Sequence, residues 1–240
     1  MINQTTGTLY GIGVGPGSPD LLTLRAVETL RRVDVILAAA SPRNEHSVAL
    51  SIAAPHLPEN IQCERLDFPM TRDAAVLEES WRRNAEITQK ILESGKSAAF
   101  LTLGDPLIYS TFGYLMRTLH AVAPHLNIEV VPGITSYQEA AAKTRTILCE
   151  GRENFMVIPG INNAAELDKA LESADSAVIL KAYRNAPVIR ESLERAGKNG
   201  ETLFASRLGL EGEATFQGLD AMPENPPYLS LLLVPPVRRE

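Results

Sequence analysis

The chain has 240 residues, of which 45% are hydrophobic and 22% charged, and its formal net charge is −6. This composition is typical of a globular protein with one large domain or two smaller ones. The acidic balance gives no overall electrostatic reason for nucleic-acid binding, and no stretch reaches the roughly 18 apolar residues of a membrane-spanning helix.

The start of the chain and its cysteines narrow the expectation further. Residues 1–7 lack the basic and apolar segments of a secretory signal, so we expect a cytoplasmic protein with no membrane or nucleic-acid partner. Cys63 and Cys149 stand alone in the sequence, and the histidines form no recognisable ligand set. We therefore expect reduced cysteines and no protein-bound metal.

The first half of the chain alternates between apolar segments and helical spacing. Strands are predicted at 8–14, 33–40, 61–66, 97–102 and 127–131. Helices are predicted at 21–30, 44–54, 74–94 and 110–119. This alternation predicts a five-stranded parallel sheet with helices on both faces.

Turn residues separate these elements and offer helix caps. Ser18 or Asp20 is placed to cap the first helix, and Thr71 or Asp73 the long third one. The glycines at 11–15 are not a dinucleotide fingerprint, because Pro16 occupies the position of the third glycine. The second strand also ends in alanine, at Ala39, where such proteins have an acidic residue.

Two loops after buried strands are candidates for a ligand site. The apolar run at 97–102 ends abruptly in Gly104-Asp105-Pro106. Val131-Pro-Gly-Ile-Thr-Ser136 repeats the pattern of the first turn of the chain, in which a strand is followed by a Pro/Gly loop and then by hydroxyl residues placed to cap a helix. In open α/β sheets, ligands bind at the carboxyl ends of the strands. The ordinary alternative is a pair of strand-to-helix turns in which Ser110 and Thr135 only cap helices.

The second half has a different pattern. Strands are predicted at 154–158, 176–180, 201–205, 214–216 and 228–234, and helices at 164–173 and 186–196. A mixed sheet is the expected arrangement. The whole chain is then α/β, with domains at 1–136 and 137–240 and a cleft between them near residues 134–150.

Four segments carry a resemblance to a known family: Tyr10–Ala26, Gly104–Pro106, Val131–Ser136 and Val178–Lys181. Together they resemble the tetrapyrrole (corrin/porphyrin) methylase family. The resemblance implies two α/β domains enclosing a cleft and methyl transfer from S-adenosyl-L-methionine to a tetrapyrrole. It also implies a homodimer.

Within that family, Phe68–Thr71 and Gly104–Phe112 look most like the enzymes of cobalamin biosynthesis that methylate carbon 20 of precorrin-2 or cobalt-factor II. The chain lacks two features of uroporphyrinogen methyltransferases, an Asp at the position of Ala39 and a Gly-Lys-Arg motif near Phe68. Three alternatives stay open: another ring carbon, a non-tetrapyrrole substrate such as ribosomal RNA or diphthine, and a module that binds the cofactor without catalysis.

The resemblance also implies the site residues. The cofactor-binding set is Pro16, Gly104, Asp105, Pro106, Tyr109, Ser110, Thr111, Ile134, Thr135, Ser136, Lys181 and Ala182. Asp105 is open to three interpretations, as a ligand, a general base or a residue that holds its loop. Asp105, Tyr109 and Glu150 are candidate bases, and none is assigned as catalytic.

The implied substrate carries several carboxylates, so an acidic protein must gather cations locally to bind it. Arginine forms paired hydrogen bonds with carboxylates. We expect three or more arginines around one trough, drawn from Arg43, Arg72, Arg145, Arg152, Arg184 and Arg207.

Overall fold

A computed structural model describes residues 6–40, 47–161 and 163–237. The chain divides into two compact units, Met1–Thr135 and Ser136–Glu240. Each unit contains one five-stranded sheet with its own hydrophobic core.

The first unit is built on a parallel sheet. Its strands are β1 (Thr8–Gly13), β2 (Val35–Ala40), β3 (Gln62–Asp67), β4 (Ala98–Thr102) and β5 (Asn127–Val131). They lie in the order β3-β2-β4-β1-β5, and every neighbouring pair is parallel. The predicted five-stranded parallel sheet is therefore confirmed.

The centre of this sheet is β4, in which all five residues are buried. Its apolar composition follows from helices that cover both faces. The Phe100 ring packs against Phe68 and Phe112, with centroids 5.8 and 5.7 Å away. From β1 the chain crosses to β2, towards one edge of the sheet, whereas from β4 it crosses to β5, towards the opposite edge. It thus changes direction between β1 and β4, where open α/β sheets bind ligands.

The helices of the first unit are α1 (Leu24–Leu30), α2 (Val48–Ala53), α3 (Ala74–Glu93) and α4 (Phe112–Val122). As predicted, Asp73 caps α3, and its Oδ1 accepts from the amides of Ala75 and Val76. The predicted start of α2 at residue 44 lies outside the described residues. Val76, in the first turn of α3, is 47% exposed.

The predicted cap of α1 was wrong. The chain first makes a short 3-10 turn at Pro19–Leu21, and the Ser18 hydroxyl donates to the Asp20 carboxylate instead of serving the helix. Thr23 is the cap, and its Oγ1 accepts from the Ala26 amide at 3.1 Å. Pro19 permits the extra turn because it has no amide hydrogen to satisfy.

The second unit has the predicted mixed sheet. Its strands are β6 (Phe155–Ile158), β7 (Ser176–Leu180), β8 (Leu203–Ser206), β9 (Ala214–Gln217) and β10 (Ser230–Val234). They lie in the order β6-β7-β10-β8-β9, where only β6 and β7 are parallel. The helices are α5 (Ser136–Thr144), α6 (Ala164–Ser173) and α7 (Ala186–Arg195).

The central strand of the second sheet is β10, and all five of its residues are buried. Leu232 and Val234 pack in the core with α6 and α7, while Leu231 and Leu233 pack on the opposite face with Ala140 of α5. Because β7 and β8 both run antiparallel to β10, their carboxyl ends lie at the same edge of this sheet.

Candidate functional site

The loops after β1 and β4 are joined at the carboxyl edge of the first sheet. The amide of Val14 donates to Thr102 O at 3.0 Å, which extends the pairing beyond β1. Gly15 and Gly104 then exchange two hydrogen bonds, of 2.8 and 3.4 Å. Both glycines have positive φ, +78° and +70°, a conformation that favours glycine. Two of the segments singled out from the sequence are therefore in direct contact.

The loop after β5 packs onto the same junction through glycines. A Cβ on Gly13 would lie 2.5 Å from Gly104 O and 2.7 Å from Gly133 Cα. A Cβ on Gly133 would lie 2.1 Å from the same Gly104 oxygen. Side chains are thus excluded at both positions by backbone atoms. Gly13 and Gly133 were not among the predicted site residues, although each lies next to a turn at a strand end.

Asp105 holds two of these loops together. Its Oδ1 accepts from the Leu107 amide at 2.8 Å, and its Oδ2 accepts from the Gly133 amide at 3.1 Å. Both carboxylate oxygens therefore bind backbone amides. This geometry agrees with the interpretation in which Asp105 holds its loop.

Ser110 acts at the start of α4. Its Oγ lies 2.8 Å from Thr102 Oγ1 and accepts from the Phe112 amide at 3.1 Å. Thr111, at the N-cap position, makes no side-chain hydrogen bond to the helix. Tyr109 has a φ of +50° and is 54% exposed, an unusual backbone conformation for a bulky residue.

Gly104 also lies near Ile134 and Thr135, the last two residues of the first unit. A Cβ on Gly104 would lie 3.9 Å from both Ile134 O and Thr135 Cα, so small atoms have room there. Pro16 and Thr135 are buried, whereas Ile134 is partly exposed. The predicted residues of the first unit, Pro16, Gly104, Asp105, Pro106, Tyr109, Ser110, Thr111, Ile134 and Thr135, lie in the loops that follow β1, β4 and β5.

The remaining predicted residues belong to the second unit. Ser136 begins α5, and Lys181 and Ala182 follow β7. Lys181 has a φ of +56°, and Ala182 is buried, with its amide donating to Ser230 O at 3.2 Å. Partial desolvation, together with repulsion from the Arg184 guanidinium, lowers the pKa of Lys181.

The arginines predicted for substrate binding are dispersed along the chain. Arg43 lies outside the described residues, and Arg72 precedes α3 in the first unit. In the second unit, Arg152 precedes β6 and Arg145 follows α5. The last two of the predicted arginines, Arg184 and Arg207, lie at the carboxyl edge of the second sheet.

The described part of the chain contains neither a cluster of metal ligands nor a membrane-spanning helix. No three His, Cys, Asp or Glu side chains come together as ligands for a metal ion in residues 6–40, 47–161 and 163–237. No helix in these same ranges is both long and apolar enough to cross a membrane.

Curated proteins resemble this chain over nearly its whole length. Cobalamin biosynthesis protein CobIJ from Mycobacterium tuberculosis (strain ATCC 25618 / H37Rv) is 33% identical over 97% of this chain. The chain spans 47% of the length of that relative. Cobalt-precorrin-2 C(20)-methyltransferase from Salmonella typhimurium is 34% identical over 95% of this chain and 96% of its own.

Solved structures share the fold. The cobalt precorrin-4 methyltransferase CbiF has a TM-score of 0.73 at 19% identity, covering 95% of this chain and 94% of its own. Uroporphyrin-III C-methyl transferase from Thermus thermophilus, complexed with S-adenyl homocysteine, has a TM-score of 0.65 at 23% identity, covering 95% and 97%. The family model for Tetrapyrrole (Corrin/Porphyrin) Methylases matches residues 8–220. Since this match covers most of the sequence, the chain belongs to the tetrapyrrole (corrin/porphyrin) methylase family.

Proposed function

We propose that this protein is an S-adenosyl-L-methionine-dependent C-methyltransferase that methylates carbon 20 of precorrin-2 or cobalt-factor II in cobalamin biosynthesis. The observation that carries the proposal is the 34% identity to the Salmonella cobalt-precorrin-2 C(20)-methyltransferase, which extends over nearly the full length of both chains. The Phe68–Thr71 and Gly104–Phe112 segments support the same assignment.

The loops of the first unit fit such a cofactor. S-adenosyl-L-methionine would supply a methyl group on a sulfonium centre that is already a good leaving group. An atom at the Cβ position of Gly104 would make only ordinary contacts, 3.9 Å from Ile134 O and Thr135 Cα, so this backbone tolerates a neighbouring atom. Backbone carbonyls and amides at this edge suit a ligand with a zwitterionic end and a flat end.

The proposed cofactor-binding residues are those the resemblance implies. In the first unit they are Pro16, Gly104, Asp105, Pro106, Tyr109, Ser110, Thr111, Ile134 and Thr135. In the second unit they are Ser136, Lys181 and Ala182. Asp105 has lone pairs left beyond its two amide bonds, so its carboxylate also favours a positive charge nearby.

The main contribution of these residues to the reaction is alignment. Methyl transfer needs the acceptor carbon, the methyl group and sulfur in one line, and no protein nucleophile takes part. In well-oriented model reactions, proximity alone lowers barriers by about 7–11 kcal/mol. The Asp105 bonds to Leu107 and Gly133 fix the two loops that would set this geometry.

Labelling tests the proposal directly. The purified protein is incubated with methyl-labelled S-adenosyl-L-methionine and either precorrin-2 or cobalt-factor II, and the labelled carbon is located by NMR. We expect label at carbon 20 with at least one of the two substrates. Label at a different ring carbon would point to another reaction of the family, and binding of the cofactor without transfer would indicate a non-catalytic module.

The homodimer is part of the same proposal and has a separate test. Sedimentation equilibrium measures the mass in solution, and we expect twice the 26.1 kDa of one chain. A mass of one chain at micromolar concentration would contradict the dimer without affecting the proposed reaction.

A further inference from the structure

The loop after β1, residues 14–23, is fixed at its start by the loop after β4. Gly104 N donates to Gly15 O at 2.8 Å, and Gly15 N donates to Gly104 O at 3.4 Å. Pro16, one of the proposed cofactor-binding residues, follows Gly15 directly and is buried. The position of Pro16 therefore depends also on how firmly the loop is held on its other side.

The short turn Pro19–Leu21 lies on that other side and packs back against the start of the loop. The Leu21 amide donates to Ser18 O at 3.1 Å, which closes the turn. A Cβ on Gly15 would lie 3.1 Å from Leu21 O, so the Leu21 carbonyl lies close to the Gly15 backbone. A displacement of the turn would consequently disturb Gly15 and its two hydrogen bonds with Gly104.

A histidine from a distant part of the sequence binds this turn. His56 Nε2 lies 2.9 Å from Pro19 O, although the two residues are 37 positions apart. A carbonyl oxygen only accepts hydrogen bonds, so Nε2 carries a proton and donates it. Both the neutral Nε2–H tautomer and the imidazolium can make this bond. Segment 15–19, which contains Pro16, is thereby held at both ends.

His56 is itself placed by a packed element. It ends a 3-10 turn, Ala54–His56, that directly continues α2. Ile52 and Ala53 of α2 are 2% and 0% exposed, so this helix is anchored inside the first unit. The imidazole ring is half-buried and has only two rotatable side-chain bonds. Holding it in one orientation therefore costs less conformational entropy than holding a lysine or an arginine.

We propose that His56 is a positioning residue of the cofactor site, which holds the loop after β1 in place by binding the Pro19 carbonyl. The inference rests on the proposed function, because that function assigns Pro16 and Gly104 to the cofactor. His56 acts through the backbone of the loop and requires no contact with the ligand. A loop that is fixed in advance does not have to be ordered on binding, and this strengthens the affinity for the cofactor.

Three substitutions at position 56 separate the hydrogen bond from the volume of the side chain. His56→Gln keeps an amide donor, His56→Glu has the same shape but only accepts at neutral pH, and His56→Leu has no polar group. Calorimetry measures the dissociation constant of S-adenosylhomocysteine for each full-length variant. We expect His56→Gln to bind within about 2-fold of the wild type, and the other two to bind about 3–10-fold more weakly. The control is His120→Leu, at an exposed position on α4, which should bind as the wild type does.

Hydrogen exchange in the ligand-free protein tests the positioning without the cofactor. In His56→Leu we expect the Gly15 and Leu21 amides to exchange about 3–10-fold faster than in the wild type. His56→Gln should restore the wild-type rates. The ring supplies a further signature, since proton–nitrogen NMR spectra at alkaline pH should show the neutral His56 ring with its proton on Nε2. A neutral ring protonated on Nδ1 would contradict the hydrogen bond.

Two other results would overturn the positioning role. The first is an unchanged cofactor affinity in both His56→Leu and His56→Glu, even with a lower melting temperature, because His56 would then stabilise the fold without acting on the site. The second is an equal loss of affinity in all three variants, which would show that the ring is needed only for packing.

The methylation assay keeps this inference distinct from the proposed function. If the wild type labels carbon 20 while His56→Leu keeps the wild-type affinity and exchange rates, the function stands and the role of His56 is wrong. If the wild type neither labels a substrate nor binds S-adenosylhomocysteine, but His56→Leu speeds exchange at Gly15 and Leu21, the function is wrong and the positioning of the loop by His56 stands.

Discussion

The carbonyl oxygen of Gly104 lies 2.1 Å from the point that a Cβ on Gly133 would occupy. No side-chain rotation relieves such a clash, because the obstructing atom belongs to the backbone. The loops after β4 and β5 can therefore meet only with glycine at position 133. This contact closes one side of the proposed cofactor site.

The first prediction is that Gly133→Ala separates these loops. We expect a loss of about 1–3 kcal/mol in unfolding free energy, measured by urea denaturation, from overpacking. Affinity for S-adenosylhomocysteine, measured by calorimetry, should fall at least 10-fold. The control is Gly113→Ala in α4, where the new Cβ would have only an ordinary 3.6 Å contact with Arg117 Nη1. Alanine should be neutral or stabilising there, and wild-type behaviour of Gly133→Ala would contradict the role of this contact.

The second prediction concerns the two-sided hydrogen bonding of Asp105. In Asp105→Asn, only one side-chain oxygen remains, and the new NH2 group faces either the Leu107 or the Gly133 amide donor. We expect a stability loss of about 1–3 kcal/mol and weaker binding of S-adenosylhomocysteine.

A matched control for Asp105 exists in the same unit. Asp73 also accepts two backbone amides, but both bonds go to its Oδ1. Asparagine keeps that single oxygen and is an equally good helix cap. Asp73→Asn should therefore leave the urea midpoint within error of the wild type, and equal losses in the two variants would contradict this explanation.

These contacts mark the boundary between what the sequence predicts and what it does not. Strand β4 was predictable because it is buried on both faces and is therefore a continuous apolar run, which ends at glycine and proline. The cap of α1 was not predictable in the same way, since Ser18 and Asp20 satisfy each other. The hydrogen bond from Gly133 to Asp105 depends on β4 and β5 flanking β1, and no local pattern encodes that order of strands.

The third prediction separates capping from ligand binding at the start of α4. Ser110 accepts from the Phe112 amide and contacts Thr102, whereas Thr111 makes no such bond. Ser110→Ala should therefore cost about 1 kcal/mol of stability, while Thr111→Val should cost little. If Thr111 binds the cofactor, Thr111→Val will lose affinity for S-adenosylhomocysteine at unchanged melting temperature. Equal stability of the two variants would contradict the capping role of Ser110.

The fourth prediction is a pH dependence located in the second unit. Glu213 accepts from Lys143 Nζ at 2.5 Å and from the Gly209 amide at 2.6 Å. The Lys143 bond, followed by that of Gly209, lowers the pKa of Glu213 below its ordinary value of 4.5. Because the folded-state pKa is the lower one, this stabilisation is fully present above pH 4.5 and is lost as the pH falls through the folded-state value.

Glu213→Gln should consequently be less stable than the wild type at pH 7, by about 0.5–1 kcal/mol since the pair is partly exposed to solvent. The difference should shrink as the pH falls below 4.5, when the wild-type carboxyl also becomes neutral. Urea midpoints measured from pH 7 down to pH 3 test both statements. Glu211→Gln, exposed in the same loop and without an ion pair in the described structure, should follow the wild type throughout. A constant gap between Glu213→Gln and the wild type across this range would show that the lost interaction does not depend on the charge of Glu213.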